Sequence, residues 1–431
     1  MMKRFLTAAL AVILTLSLAA CGDDSSANLP SVSTGDTSVL GTDFQKNMNQ
    51  STSYRFYNLC KTEDGYYFEF NGMAYYLDKE TGSSTILCGK PDCSHTDSNC
   101  NAFINARFLT YYNGKLYYSN SDGVLENGSY VNKGERLYTM NVDGTEHDAV
   151  QSLDFVPSGD TSNFVTSPII HRGMLYFCYS GALYGVKLGA DIEDATLIYG
   201  NQKADDGSDI VDSNELYYEL WADGDTVYFM AKNVMQSDGT YKDTLFSYNP
   251  QNDKAEQIWQ VPDKSDVGTW DTTGVSVSQW YIANGFIYFY LSGNDIWYTE
   301  LSTGKTNKLI DLELEAGVAS FSDEYIVVMN KEVWGVSIGG GSALTAGDTI
   351  YVYGYDGKMV TQISLDKIYN DSSDVDDCSI LWVDSGKIYV QASALVSQPN
   401  KSYDLQTELI YSVDIESASF EEAVWSWSYG Y

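Results

Sequence analysis

Seven copies of a two-strand pattern run along the chain, and this repeat constrains the fold more than any other feature. The first strand of each copy follows a turn that contains Gly or Asp and then reads apolar, Tyr, aromatic, as in residues 113–118 (NGKLYY). The turns of the seven copies begin at Asp64, Asn113, Arg172, Asp223, Asn284, Asp323 and Ser385. Such runs, bounded by turn residues, are typical of β-strands.

A second strand follows each copy, and the clearest is residues 136–145 (RLYTMNVDGT). The second strands begin at Met73, Arg136, Ala182, Thr244, Asp295, Thr349 and Glu408. These starts are about 56 residues apart, which is longer than compact propeller repeats of about 40–50 residues and predicts long loops in several copies.

Repeated antiparallel units of this kind cannot bury both faces alone, whereas stacking them around an axis does so and leaves only short edges. We therefore predict an all-β chain that forms a single seven-bladed β-propeller. Six or eight blades and a β-sandwich are the alternatives. The last strand, residues 424–429 (VWSWSY), alternates with period two, and we expect it to close the ring by pairing with residues 54–58.

The N-terminus carries an export signal. Lys3 and Arg4 precede an apolar stretch that ends in residues 18–21 (LAAC), which resembles the lipobox of bacterial lipoproteins. The resemblance implies that the thiol of Cys21 receives a diacylglycerol and that cleavage makes Cys21 the first residue. The alternative is an ordinary signal peptide with an incidental cysteine. Two acyl chains anchor a protein stably, so we predict an extracytoplasmic protein held on the membrane.

Three segments follow from these observations. We predict a removed lipoprotein signal peptide over residues 1–20, a lipid-anchored flexible linker over 21–53 and the propeller over 54–431. The linker is polar and rich in Ser, Thr, Asn and Gly, a composition that cannot bury enough apolar surface to offset chain entropy. The net charge of −34 excludes nucleic acids as partners, because they bind basic surfaces.

Cysteine and histidine are concentrated in one short segment, residues 88–100 (CGKPDCSHTDSNC). Three thiols and one imidazole, from Cys88, Cys93, His95 and Cys100, form a ligand set suited to tetrahedral Zn²⁺. The alternative is disulfide bonding among Cys60, Cys88, Cys93 and Cys100, since exported proteins meet oxidising conditions. Under either reading the segment is structural and staples neighbouring blades.

Two family resemblances rest on these segments. The strand of residues 137–145 is similar to the repeat of the low-density-lipoprotein-receptor class of β-propellers. The lipobox, the polar linker and residues 88–95 (CGKPDCSH) ahead of blade two resemble a group of uncharacterised propeller lipoproteins of Gram-positive anaerobic bacteria. The resemblance implies a fold and a location, and it implies no activity.

The sequence contains few other motifs for metal binding, cofactor binding or catalysis. Acidic loops at residues 205–209 and 371–377 are weak candidates for Ca²⁺, which prefers oxygen ligands. No phosphate-binding glycine loop occurs, so no organic cofactor is expected. We therefore expect no catalytic residues and a surface module that binds a glycan, a peptide or an envelope protein. The alternative is a carbohydrate-active hydrolase or lyase with its site in the propeller funnel.

Overall fold

A computed structural model of the chain describes residues 39, 41–45, 48, 58–95, 99–126, 129–154, 166–179, 181–200, 218–235, 241–262, 277–291, 295–312, 317–330, 332–336, 342–345, 349–371, 374–397 and 404–430. Seven four-stranded antiparallel sheets are arranged in a ring, which confirms the predicted seven-bladed β-propeller. Among the described residues, no helix is both long and apolar enough to cross a membrane.

Each of the first three blades is formed by four consecutive strands. Blade one contains β1 (Leu59–Lys61), β2 (Gly65–Phe70), β3 (Met73–Asp78) and β4 (Ser84–Ile86). Blade two contains β5 (Phe108–Tyr112), β6 (Lys115–Glu126), β7 (Ser129–Asn141) and β8 (Asp148–Ser152). Blade three contains β9 (Thr166–His171), β10 (Met174–Tyr179), β11 (Ala182–Lys187) and β12 (Thr196–Gly200), with a short 3-10 turn at Ile192–Asp194.

The remaining blades follow the same order. Blade four contains β13 (Tyr218–Asp223), β14 (Thr226–Met235), β15 (Tyr241–Asn249) and β16 (Lys254–Gln260). Blade five contains β17 (Val277–Ala283), β18 (Phe286–Leu291), β19 (Asp295–Glu300) and β20 (Thr306–Asp311). Blade six contains β21 (Gly317–Phe321), β22 (Ile326–Asn330), an inserted hairpin of β23 (Glu332–Val336) and β24 (Ser342–Thr345), then β25 (Thr349–Tyr353) and β26 (Met359–Ser364). A helix, α1 (Asp366–Asp371), leads to blade seven, with β27 (Asp374–Asp384), β28 (Lys387–Ser397), β29 (Asp404–Asp414) and β30 (Ser419–Gly430).

The predicted strand pairs are the two middle strands of each blade. Met73, Ala182, Asp295 and Thr349 are the first residues of β3, β11, β19 and β25, as predicted. Arg136, Thr244 and Glu408 lie inside the longer strands β7, β15 and β29.

The backbone conformation of the repeated turn explains its sequence. In the two-residue turn before β6, Asn113 and Gly114 have φ of 48° and 80°, and Arg172 and Gly173 before β10 have 45° and 79°. Positive φ at both positions is the type I′ geometry, whose twist matches that of paired strands and which favours Gly at the second position.

The apolar core lies between the blades. Six apolar clusters together fill every boundary around the ring, and each joins strands of neighbouring sheets. Because blade faces pack on each other in this way, no single blade can bury its own apolar residues. The first strands of neighbouring blades lie side by side. For example, β5 of blade two contacts β1 of blade one and β9 of blade three.

The predicted ring closure, a pairing of the last strand with residues 54–58, falls mostly outside the described residues. The last strand, β30, pairs with β29 inside blade seven, and residues 54–57 of the predicted partner lie outside the described part of the chain. Among the described residues, blade seven packs on blade one through aromatic side chains: Trp425 meets Phe68 at a centroid distance of 5.6 Å and Phe70 at 5.1 Å. The alternation of β30 predicted a strand correctly, and its pairing with residues 54–58 stays a prediction.

Part of the predicted linker packs on the propeller. Residues 39, 41–45 and 48, here called the strap, include the buried side chains of Asp43, Phe44, Gln45 and Met48. The signal peptide, Cys21 and linker residues 21–38 lie outside the described residues, so those boundaries stay predictions.

Candidate metal centre

The segment that holds the Cys/His group joins blade one to blade two and is anchored on blade one. The Leu87 N–H donates to the carbonyl of Ala74 at 3.0 Å, and the Ala74 N–H donates to the carbonyl of Ala102 at 2.7 Å. Further along, the Ile104 N–H donates to the carbonyl of Gly72 at 2.9 Å. Both ends of the segment are therefore held by β3 and the turn that precedes it.

Cys88, Cys93, His95 and Cys100 converge, as the sequence predicted. One ligand atom from each residue lies within 4.8 Å of the others, and His95 Nδ1 is 3.4 Å from Cys100 Sγ. In a tetrahedral site with Zn–S of about 2.3 Å and Zn–N of about 2.0–2.1 Å, ligand atoms are about 3.5–3.8 Å apart. The group therefore has the composition and size to hold a metal ion such as Zn²⁺.

Backbone amides prepare one thiol for ligation. Desolvation alone would raise the pKa of Cys88, but hydrogen bonds from the N–H groups of Lys90 and Asn101 lower it to about 6. Burial raises the pKa of Cys100, and its contacts with Cys88 and Cys93 raise it further. Metal ligation requires thiolates, so binding a metal here would release protons. The sequence pattern identified the thiols but gave no sign of these amide donors.

Local strain places the imidazole. His95 has φ of 55°, a left-handed conformation that side-chain-bearing residues adopt rarely. The Lys90 ammonium braces the segment by donating to the carbonyl of Asn99 at 2.6 Å. Strain of this kind persists where other contacts impose it, and it concentrates at ligand sites.

The described cysteines form no disulfide. None of Cys60, Cys88, Cys93, Cys100, Cys178 and Cys378 is disulfide-bonded. Cys60 is buried in the same apolar cluster as the segment, yet it stands outside the four-residue group. Cys178 lies in β10 and Cys378 in β27, both buried.

Gly144 supports the segment from blade two. It has φ of 78°, and a Cβ atom there would lie 2.3 Å from the carbonyl oxygen of Leu87, next to Cys88. We expect Gly144→Ala to lower the free energy of unfolding by about 1–2 kcal/mol from left-handed strain and by a further 1–3 kcal/mol from the clash. Urea unfolding of the variant measures the total loss of free energy from the strain and the clash.

Gly189→Ala is the matched control for this substitution. Gly189 has φ of 81° with open space where the Cβ would lie, so only the strain should appear. Equal losses in the two variants would show that the Leu87 contact contributes nothing.

The predicted Ca²⁺ loops gain no support. Residues 205–209 lie outside the described residues. The prediction of a loop over residues 371–377 was wrong in part, because Asp371 ends α1 and Asp374 begins β27, where the ladder to β28 overrides the acidic composition. Within the described residues, the Cys/His group is the one set of three or more Cys, His, Asp or Glu side chains placed to hold a metal.

The other two histidines have backbone partners. His147 Nε2 lies 3.1 Å from the carbonyl of Gly144, and its Nδ1 lies 2.8 Å from the Tyr118 hydroxyl. His171 Nε2 lies 2.8 Å from the carbonyl of Gly224, and its Nδ1 accepts the Phe44 N–H at 2.9 Å. With His95 in the Cys/His group, all three histidines of the chain hold structural positions.

One carboxylate on an innermost strand has an unusual environment. Desolvation raises the pKa of Glu219 on β13, although Lys232 opposes the shift from 3.3 Å. The Trp280 indole donates to the same carboxylate at 2.5 Å, and Lys232 is also 3.5 Å from Asp243. These contacts tie blade four to blade five.

Comparisons with known proteins return distant structural matches. No protein-family model and no curated protein sequence matches the chain. The computationally designed protein Ika8 is similar with a TM-score of 0.42 and 12% identity, covering 89% of both chains. Saccharomyces cerevisiae Sqt1 has a TM-score of 0.44 and 9% identity, covering 89% of this chain and 87% of its own. BamB from Moraxella catarrhalis has a TM-score of 0.37 and 11% identity, covering 78% and 93%. At these values the matches carry no conclusion about function.

Proposed function

We propose that the chain is an exported lipoprotein, anchored through Cys21, whose propeller is a non-catalytic binding or scaffold module. Its ligand would be a glycan, a peptide or another protein of the cell envelope. The observation that carries the proposal is that all three histidines lie in structural contacts. No histidine is therefore left to act as a general base or to activate a nucleophile.

The Cys/His group fits this proposal as a structural Zn²⁺ site. Four protein ligands close a tetrahedral coordination sphere, whereas catalytic zinc keeps one position for water or substrate. The segment also bridges blade one to blade two, so a bound ion would stiffen a connection between blades. A scaffold benefits from such a staple because it presents its loops on a rigid ring.

Lipid anchoring has a direct test in the producing bacterium. We expect the intact chain to incorporate labelled fatty acid and to fractionate with membranes, because two acyl chains anchor stably. Cys21→Ser should incorporate no label and should leave the membrane fraction. Incorporation that persists in Cys21→Ser, or its absence in the unaltered chain, would contradict the proposed anchor.

Binding and catalysis are separated by a second experiment. The soluble domain, applied to glycan and peptide arrays and to solubilised envelope proteins, should retain a ligand without changing it. The same domain should not turn over a broad polysaccharide panel. Turnover that disappears in Glu219→Gln, in a protein of unchanged stability, would replace the binding proposal with the carbohydrate-active alternative.

A further inference from the structure

The strap is hydrogen-bonded to the turns that join the first and second strands of several blades. The Asn113 N–H of blade two donates to the carbonyl of Gly41, and the Arg172 N–H of blade three donates to the carbonyl of Thr42, both at 2.8 Å. In blade one, the side-chain amide of Gln45 pairs with both backbone groups of Lys61, each at 2.7 Å. The strap therefore joins three blades through backbone groups of Lys61, Asn113 and Arg172.

Two apolar side chains anchor the strap at separate boundaries of the ring. Phe44, 6% exposed, is buried in the cluster between blades three and four, which includes Ile169 and Val227. Met48, 2% exposed, is buried in the cluster between blades seven and one, which includes Trp382. These boundaries are three blades apart in a ring of seven, so the strap crosses the face of the ring.

His171 holds the middle of the strap and does so only as a neutral ring. Its Nδ1 accepts the Phe44 N–H at 2.9 Å, and its Nε2 therefore carries the proton donated to the carbonyl of Gly224 at 2.8 Å. A proton on Nδ1 would place a second donor against the Phe44 N–H. The ring is 2% exposed, so water cannot replace the lost acceptor.

Charged groups face the ring from each element around it. Asp43 belongs to the strap, Arg172 follows His171 in the turn between β9 and β10, and Asp225 lies in the turn between β13 and β14. Arg172 Nε donates to Asp43 Oδ1 at 2.8 Å, and Arg172 also pairs with Asp225. Both carboxylates favour an imidazolium and the Arg172 guanidinium opposes them, so desolvation has the largest effect on the ring.

We propose that the strap is an intramolecular latch that His171 closes at neutral pH and opens at acidic pH, exposing the face of the ring formed by the first turns. The latch concerns the folded domain alone and does not depend on the lipid anchor or on the identity of a ligand. After release, the strap would continue the predicted linker. The backbone N–H and carbonyl of Lys61 in blade one, which Gln45 pairs with in the docked state, would become accessible.

The sign of the pH dependence follows from the docked state. Desolvation lowers the pKa of His171 below the ordinary value of 6.5 when the strap is docked. The free ring binds a proton more readily than the docked ring, so docking is fully favourable above about 6.5 and weakens as pH falls. Between 6.5 and the docked-state pKa, the docking constant should fall about tenfold per pH unit.

Hydrogen–deuterium exchange of the peptide that spans residues 39–48 tests the latch. In the full chain, its protection relative to a free peptide of the same sequence should fall about tenfold per unit as pH drops below 6.5. His171→Asn keeps an acceptor near the Phe44 N–H but does not titrate, so its protection should not change with pH. His147→Asn is the matched control and should behave as the unaltered chain.

Two outcomes would overturn the proposal. One is strap protection that is independent of pH in the unaltered chain, and the other is an unchanged pH response in His171→Asn. If His171→Asn does not fold, nuclear magnetic resonance titration of the His171 ring replaces it. A neutral ring protonated on Nε2 with a midpoint below 6.5 supports the latch, and a midpoint above 6.5 excludes it.

Discussion

Cys93→Ser is expected to abolish stable metal binding by the chain. The substitution removes one of four ligands, and a serine hydroxyl does not ionise near neutral pH as a thiol does. Changes to residues that only orient ligands already weaken metal sites by about 10–100-fold, so loss of a ligand should weaken this site by at least about 100-fold. The unaltered chain should retain about one Zn²⁺ after dialysis against a weak chelator, and the variant none.

The same variant should lose stability in proportion to the lost metal. An ion present at a thousandfold excess over its dissociation constant stabilises the folded state by about 4 kcal/mol through mass action. We therefore expect the melting temperature of Cys93→Ser to match that of the chelated unaltered chain. Elemental analysis and thermal unfolding measure the two effects.

Cys60→Ala and Cys178→Ala are the controls for this prediction. Both thiols lie outside the four-residue group, so both variants should keep the metal. A metal-free chain whose mass is short by two or four hydrogens would support the disulfide alternative and contradict the prediction.

Asp384→Ala is expected to destabilise the ring where its ends meet. Asp384 ends β27 in blade seven, and its carboxylate contacts Lys61 Nζ at 3.2 Å and Lys79 Nζ at 3.4 Å in blade one. The buried Tyr66 hydroxyl also donates to it at 2.6 Å. Removing the carboxylate takes the opposite charge away from both lysines and the acceptor away from Tyr66, which costs about 3–5 kcal/mol of unfolding free energy.

The control is an exposed ion pair of the same type. Asp356 contacts Lys358 at 2.7 Å, but the lysine side chain is 83% exposed. Asp356→Ala should therefore cost less than about 1 kcal/mol in the same urea titration. Similar losses in the two variants would mean that the blade one contacts of Asp384 do not stabilise ring closure.

Acid unfolding gives a second readout for Asp384. Desolvation alone would raise its pKa, but Lys61, Tyr66 and Lys79 together hold the pKa below the ordinary 3.8. A carboxylate with a lowered folded-state pKa contributes stability above 3.8 that is lost as pH falls through the folded-state value. That acid-sensitive component should be missing in Asp384→Ala.

The sequence predicted the parts of the fold that carry strong local patterns. The middle strands recur in each blade as aromatic-rich runs after turn residues, with type I′ turns in blades two, three, five and seven, so their number gave the number of blades. Innermost and outermost strands such as Leu59–Lys61 and Ser84–Ile86 have three residues each, too few to show a period. Their positions come from ladders to the middle strands, which are set only in the folded ring.

The candidate site was predictable because it is local, and the strap was not because it is non-local. Cys88 and Cys100 belong to one short segment, so spacing alone brought them together. The strap depends on His171, which lies 127 positions from Phe44. Its one local signal is the pair of large apolar residues, Phe44 and Met48, within a polar segment.

X-ray absorption at the zinc edge tests directly whether the four side chains of the Cys/His group form a closed metal site. We expect one zinc per chain with three sulfur neighbours at about 2.3 Å and one nitrogen neighbour at about 2.0–2.1 Å. No water oxygen should complete the shell, since Cys88, Cys93, His95 and Cys100 supply four ligands. Absence of zinc from the purified chain, or a shell with fewer than three sulfurs, would contradict a closed zinc site at these four residues.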